Sequence, residues 1–105
     1  MKIPPHQEQE IKSAIIKIAG AYLDITRYSL FFFGSRVSGT GREQSDVDIG
    51  IEGDAPIPLE IMAQIKSDIA ELPILHSIDI VDFGNVDDNF KEVAKKTIEV
   101  FHKKI

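Results

Sequence analysis

Two aspartates stand two residues apart in Ser45-Asp46-Val47-Asp48-Ile49-Gly50-Ile51. The segment alternates acidic or small residues with Val47, Ile49 and Ile51, the pattern of a half-buried strand over Asp46–Glu52. On such a strand both carboxylates leave one face, with their Cα atoms ~6.5–7 Å apart. Carboxylates that close repel unless a cation lies between them. Mg²⁺ is the natural cation, a hard ion held by one or two carboxylates together with substrate phosphates. Taken alone, Asp-x-Asp is common, and a solvated strand edge is its ordinary meaning.

A second feature precedes Asp46, with ten residues between them. The apolar run Tyr28–Phe33 stops at Gly34-Ser35. A glycine there lets the backbone come close to a ligand. Backbone amides and the Ser35 hydroxyl then have the character of phosphate donors. Arg36 and Arg42 bring positive charge to the same stretch, although a solvated loop explains Arg42 as well. A third acid would complete a phosphoryl-transfer site, and Ser77–Phe83 offers Asp79 and Asp82. Strand parity separates them. Asp79 lies opposite Ile78 and Ile80, which look inward, whereas Asp82 shares their face. Asp79 is therefore the candidate, and Asp82 reads as a strand-end cap or a solvated acid.

The elements that must position these residues follow from periodicity. Ile11, Ile15, Ile18, Ala19 and Tyr22 mark an amphipathic helix over Glu8–Tyr22. Tyr28–Phe33 reads as a buried strand, and Gly34–Gln44 as a loop. Leu59, Met62, Ile65, Ile69 and Leu72 mark a second helix, ended by Pro73. Ser77–Phe83 is a third strand. Asp87 caps a last helix whose buried stripe is Phe90, Val93, Ala94, Ile98 and Phe101. The order α-β-β-α-β-α predicts an α+β domain, a small mixed sheet with helices on one face.

Composition limits the alternatives. The chain has 105 residues, enough for one domain over 1–105. Its net charge of -5 argues against a nucleic-acid track. It contains no cysteine, which removes disulfides, thiolate metal sites and cysteine nucleophiles and favours the cytoplasm. No apolar run is long enough to span a bilayer, and Met1–Glu10 has no signal-peptide pattern. His6, His76 and His102 share no ligand spacing and read as surface or strand-end residues.

Gly34-Ser35, then ten residues, then Asp46-Val47-Asp48 resembles the signature of the DNA polymerase beta-type nucleotidyltransferase superfamily. The spelling Gly-Ser-Arg-x-x-Gly before Ser-Asp-x-Asp is similar to that of its minimal nucleotidyltransferases. The resemblance implies a sheet with helices on one face and metals on the other. It implies that Asp46 and Asp48 bind two Mg²⁺ ions on ATP, and that Gly34 and Ser35, with Arg36 beside them, hold the phosphates. It further implies that Asp79 ligates metal and accepts the acceptor's proton. Minimal nucleotidyltransferases pair with helical HEPN toxins as antitoxins and transfer AMP to a toxin tyrosine, so a hetero-oligomer is expected. Two other readings stay open: a non-catalytic nucleotide- or toxin-binding module, and a homodimeric enzyme acting on a small molecule.

Overall fold

The structure, a computed structural model, describes residues 3–34 and 47–105. Ser35, Arg36 and Asp46 lie outside the described residues.

Helix α1, Pro5–Tyr22, begins at a proline, which has no amide hydrogen to leave unsatisfied in a first turn. It buries Ile11, Ile15 and Ala19, at successive steps of four. Strand β1, Ser29–Phe33, pairs antiparallel with β2, Val47–Glu52. Helix α2, Leu59–Ala70, buries Met62, Ile65 and Ile69. Strand β3, Ile78–Asp82, pairs parallel with β2, and the crossover between them carries α2. A short helix α3, Asp88–Ala94, and strand β4, Glu99–His102, follow. The sheet order is β3-β2-β1-β4.

The two long helices cover one sheet face. Leu30, Phe32, Val47, Ile49, Ile51 and Ile80 face them and form the main core with their apolar stripes. The Tyr22 hydroxyl of α1 donates to Asp68 of α2 at 2.6 Å, tying the helices across their exposed rim. This is the mixed sheet the periodicity predicted. No described helix is long and apolar enough to cross a membrane.

The closing segment departs from expectation. The predicted helix through Phe101 ends at Ala94, and Glu99–His102 instead pairs with the outer edge of β1. Asp87 does cap α3, accepting from the Phe90 amide at 2.7 Å. Beyond Lys96, however, Thr97, Ile98, Val100 and Phe101 are β-branched or aromatic. An open edge of β1 would leave backbone donors and acceptors without partners, and β4 supplies them. Phe101 then packs on Phe32, ring centroids 4.8 Å apart. The expected buried stripe dissolves: Phe90 is 42% and Val93 67% exposed.

A smaller core lies on the opposite face, where Phe31, Phe33 and Phe83 are buried together. Gly50 makes room for it, because a side chain there would run into the Phe31 ring and come within 2.8 Å of Phe83. Phe31 and Phe83 meet edge to face at 4.8 Å, and Phe33 and Phe83 at 5.1 Å. Phe90 brings α3 onto this cluster, 6.2 Å from Phe33 and 5.8 Å from Phe83. Glu52, at the far end of β2, clamps the helix with salt bridges to Lys91 and Lys95.

For Asp82 the structure selects the first of its two expected roles. The residue is a strand-end cap, buried rather than solvated, at 8% exposure. Its Oδ2 accepts from the Ile57 amide at 2.7 Å and its Oδ1 from the Gly84 amide at 2.9 Å. The carboxylate thus fastens the turn before α2 to the turn after β3. An Asn there would turn an amide group toward one of those donors. Asp82→Asn is expected to cost about 1–3 kcal/mol, measured by urea denaturation, because one buried N–H loses its acceptor.

The Glu52 clamp sets a pH dependence. Burial pushes its carboxyl up, but hydrogen bonds and charge from Lys91 and Lys95 outweigh that and hold it below the usual range. A lowered acid contributes stability above its unfolded pKa and loses it as pH falls through the folded value. Glu52→Gln should therefore lower the denaturation midpoint at neutral pH. The difference should shrink as pH falls below the usual Glu range, and the two proteins should converge once the folded wild-type carboxyl protonates.

Candidate active site

The register of β2 and β3 decides which acids meet. Asp48 and Asp79 are direct partners across the parallel pair. Adjacent strands lie about 4.8 Å apart, and partnered residues share a face, so both carboxylates rise side by side. Val47, Ile49 and Ile80, one residue away along the same strands, are buried toward the helices. The acids therefore occupy the opposite face. Asp48 is half-buried and Asp79 exposed.

On the other side of β2, Phe33 is the partner of Asp48. The next residue is Gly34, with φ of +85°, a conformation costly for a residue with a Cβ. A methyl group on Gly34 would collide with Asp48 Oδ2 and lie 3.2 Å from its Cγ. The end of β1 and the carboxylate of β2 are thus packed against each other in a space only glycine leaves open. Gly34, Asp48 and Asp79 come together at one end of three neighbouring strands.

Gly34, Asp48 and Asp79 share this corner of the sheet. Ser35, Arg36 and Asp46 belong to the segment outside the described residues, though Asp46 immediately precedes β2. Asp82 is turned to the opposite face and committed to two backbone amides. His76 contacts Gln7 at 3.1 Å and His102 contacts the Ile25 carbonyl at 2.8 Å, so each joins separate elements. Among the described residues no group of three or more metal-ligating side chains is assembled.

The pair Asp48 and Asp79 nevertheless suits a hard divalent cation. Both donors are carboxylate oxygens, they are register partners, and one is exposed to incoming ligand. A dense positive charge would remove their mutual repulsion.

Two cavities flank the acids. One, about 230 Å³, runs along the outer edge of β3 past Asp79 and Val81 to Lys66 and Asn85. The other, about 330 Å³, lies between Gly34 and α3 and is lined by Phe33, Phe90, Val93, Ala94 and Thr97. The second was missed in the sequence because Phe90, Val93 and Ala94 have the spacing of a core stripe. The helix in fact ends after seven residues, too few to carry Ile98 and Phe101 on the same stripe.

A probable protein adenylyltransferase MntA from Haemophilus influenzae is 27% identical over 97 residues, covering 90% of this chain and 85% of the relative. A crystal structure of a toxin–antitoxin pair with AMP-PNP superposes with a TM-score of 0.70 at 17% identity, covering 89% of this chain and 73% of that one. A mutant MntA-HpeT toxin–antitoxin structure gives 0.69 at 15% identity, with the same coverage. At these identities the two structures establish the fold alone. The family model described as polymerase beta, nucleotidyltransferase matches residues 12–105, which take in all four strands, α2, α3 and α1 from residue 12 onward. The chain belongs to the polymerase beta nucleotidyltransferase family.

Proposed function

We propose that residues 1–105 form one Mg²⁺-dependent nucleotidyltransferase domain that moves AMP from ATP to a tyrosine of a HEPN-type toxin, and so acts as its antitoxin. The observation that carries this reading is the corner where the Gly34 backbone, Asp48 and Asp79 converge. The kinship to a probable protein adenylyltransferase and the toxin–antitoxin pairs of the same fold support the acceptor class.

In this reading Asp46, Asp48 and Asp79 hold the metal, and Gly34, Ser35 and Arg36 bind the triphosphate. Bound Mg²⁺, two ions in this family's pattern, would neutralise phosphate charge as it develops in the transition state. The chain's own residues do the rest. Asp79 is exposed, so an acceptor hydroxyl can reach it. It takes the proton as the hydroxyl oxygen attacks the α-phosphorus. One oxygen–phosphorus bond forms, the bond to the bridging oxygen breaks, and pyrophosphate leaves. Gly34 keeps the end of β1 against Asp48, so the phosphate end and the acids stay in fixed relation. A partner protein that holds its tyrosine in line would supply much of the rate, since positioning contributes up to about 7–11 kcal/mol.

The test is direct. Incubated with its toxin, ATP and Mg²⁺, the wild-type chain should raise the toxin's intact mass by whole adenylyl units. Asp79→Asn should lower that rate about 10²–10⁴-fold with little change in melting temperature, as expected for a lost general base at an exposed position. Asp48→Asn should abolish transfer and Mn²⁺-dependent ATP binding together. An unmodified toxin, with AMP transferred to RNA or a small molecule instead and pyrophosphate released, would contradict the proposed acceptor.

A further inference from the structure

The apolar cavity beside Gly34 is not used by the transfer chemistry. Its wall is Phe33 from β1, then Phe90, Val93 and Ala94 from α3, then Thr97 from the link to β4. None of these side chains carries a charge, and only Thr97 offers a hydroxyl. At about 330 Å³ it is at the small end of the range for small-molecule pockets.

Three observations bear on its occupant. The cavity opens at Gly34, the same residue that touches the Asp48 carboxylate. A ligand with its phosphates at that corner therefore has a recess adjoining it whose described lining is uncharged. Phe90 is buttressed by Phe33 and Phe83 yet remains 42% exposed, a fixed ring with accessible surface. The wall is also held in place: Lys91 on α3 and Lys95 just past its end are drawn to Glu52 of β2. A rigid aromatic surface with no charge is suited to a flat heterocycle, since base–aromatic stacking needs a π-face rather than a set of hydrogen bonds.

We propose that this cavity receives the base of the nucleoside triphosphate, stacked against Phe90 and enclosed by Val93 and Thr97. The proposal rests on the nucleotidyltransferase reading of the Gly34 corner and adds the subsite for the base. Stacking alone makes the site favour purines over pyrimidines without reading either base edge in full. Glu52 is then a positioning residue, acting on the base through α3.

The experiment measures binding of ATP and of ribose 5′-triphosphate, which lacks the base, to the full chain with Mg²⁺ by titration calorimetry. Wild type should prefer ATP by about 5- to 150-fold, the range expected for one stacked base. Phe90→Ala should lose most of that preference while its affinity for ribose 5′-triphosphate stays unchanged, and Phe90→Tyr, which keeps a ring, should retain it. Should Phe90→Ala fail to fold, Phe90→Leu decides, because it keeps apolar bulk against Phe33 and Phe83 but has no ring to stack on. A preference for ATP that survives undiminished in folded Phe90→Ala or Phe90→Leu overturns the proposal and leaves the nucleotidyltransferase reading standing. Weakened toxin capture by Phe90→Ala with the ATP preference intact also overturns it, in favour of a partner side chain as occupant. Failure of the wild type to bind either compound overturns the reading on which the proposal rests.

Discussion

The contact between the Gly34 backbone and the Asp48 carboxylate is the constraint around which this protein is arranged. With φ at +85° and no room for a Cβ, position 34 turns the chain sharply out of β1 and leaves the acid of β2 against that turn. The pairing of Phe33 with Asp48 fixes the level along the sheet, and the pairing of Asp48 with Asp79 carries that level to β3. A slip of one residue in either pairing would turn an acid toward the helices and an apolar residue toward solvent. The hydrophobic core therefore enforces the placement of the acids: Val47, Ile49 and Ile80 are buried on one face, which holds Asp48 and Asp79 on the other.

Two kinds of acid line the same sheet, and their partners sort them. Asp82 gives both oxygens to backbone amides and fastens two turns. Glu52 gives both of its oxygens to lysines and fastens a helix. Asp79 is exposed at the end where Gly34 lies, and Asp48 is half-buried beside it. The front of the sheet is divided accordingly. Its aromatic half, built on Phe31, Phe33 and Phe83, supports α3, and its acidic corner faces outward. The back of the sheet is conventional core under α1 and α2. This division gives the apolar cavity and the acids a common border at Gly34.

Much of this was legible in the residues. Strict alternation announced β2, steps of three and four announced α1 and α2, and the parity of Ile78-Asp79-Ile80 placed Asp79 on the face it occupies. What could not be read locally were the contacts whose partners lie far along the chain. Asp82 gains its role from the Ile57 amide, 25 residues away, and nothing around Asp82 signals that donor. The segment after Ala94 has apolar residues at spacings compatible with helix or strand. The choice was made by the free edge of β1, a tertiary demand that periodicity does not contain. Phe90 and Val93 were read as core for the same reason: their stripe is helical, yet Phe33 and Phe83 cover only part of the Phe90 ring. Ser35, Arg36 and Asp46 stand on sequence alone.

The central claim is that Gly34 holds Asp48 beside Asp79 to form a divalent-cation corner. Paramagnetic broadening by Mn²⁺ in the presence of a non-hydrolysable ATP analogue tests it most directly, comparing the wild type with Gly34→Ala. The account predicts that wild-type amide signals of residues 34, 48 and 79 broaden first. In Gly34→Ala, with its core signals intact, that broadening should vanish, because the added methyl displaces the carboxylate. Equal broadening of the same three signals in Gly34→Ala, or first broadening at another part of the sheet, would contradict it.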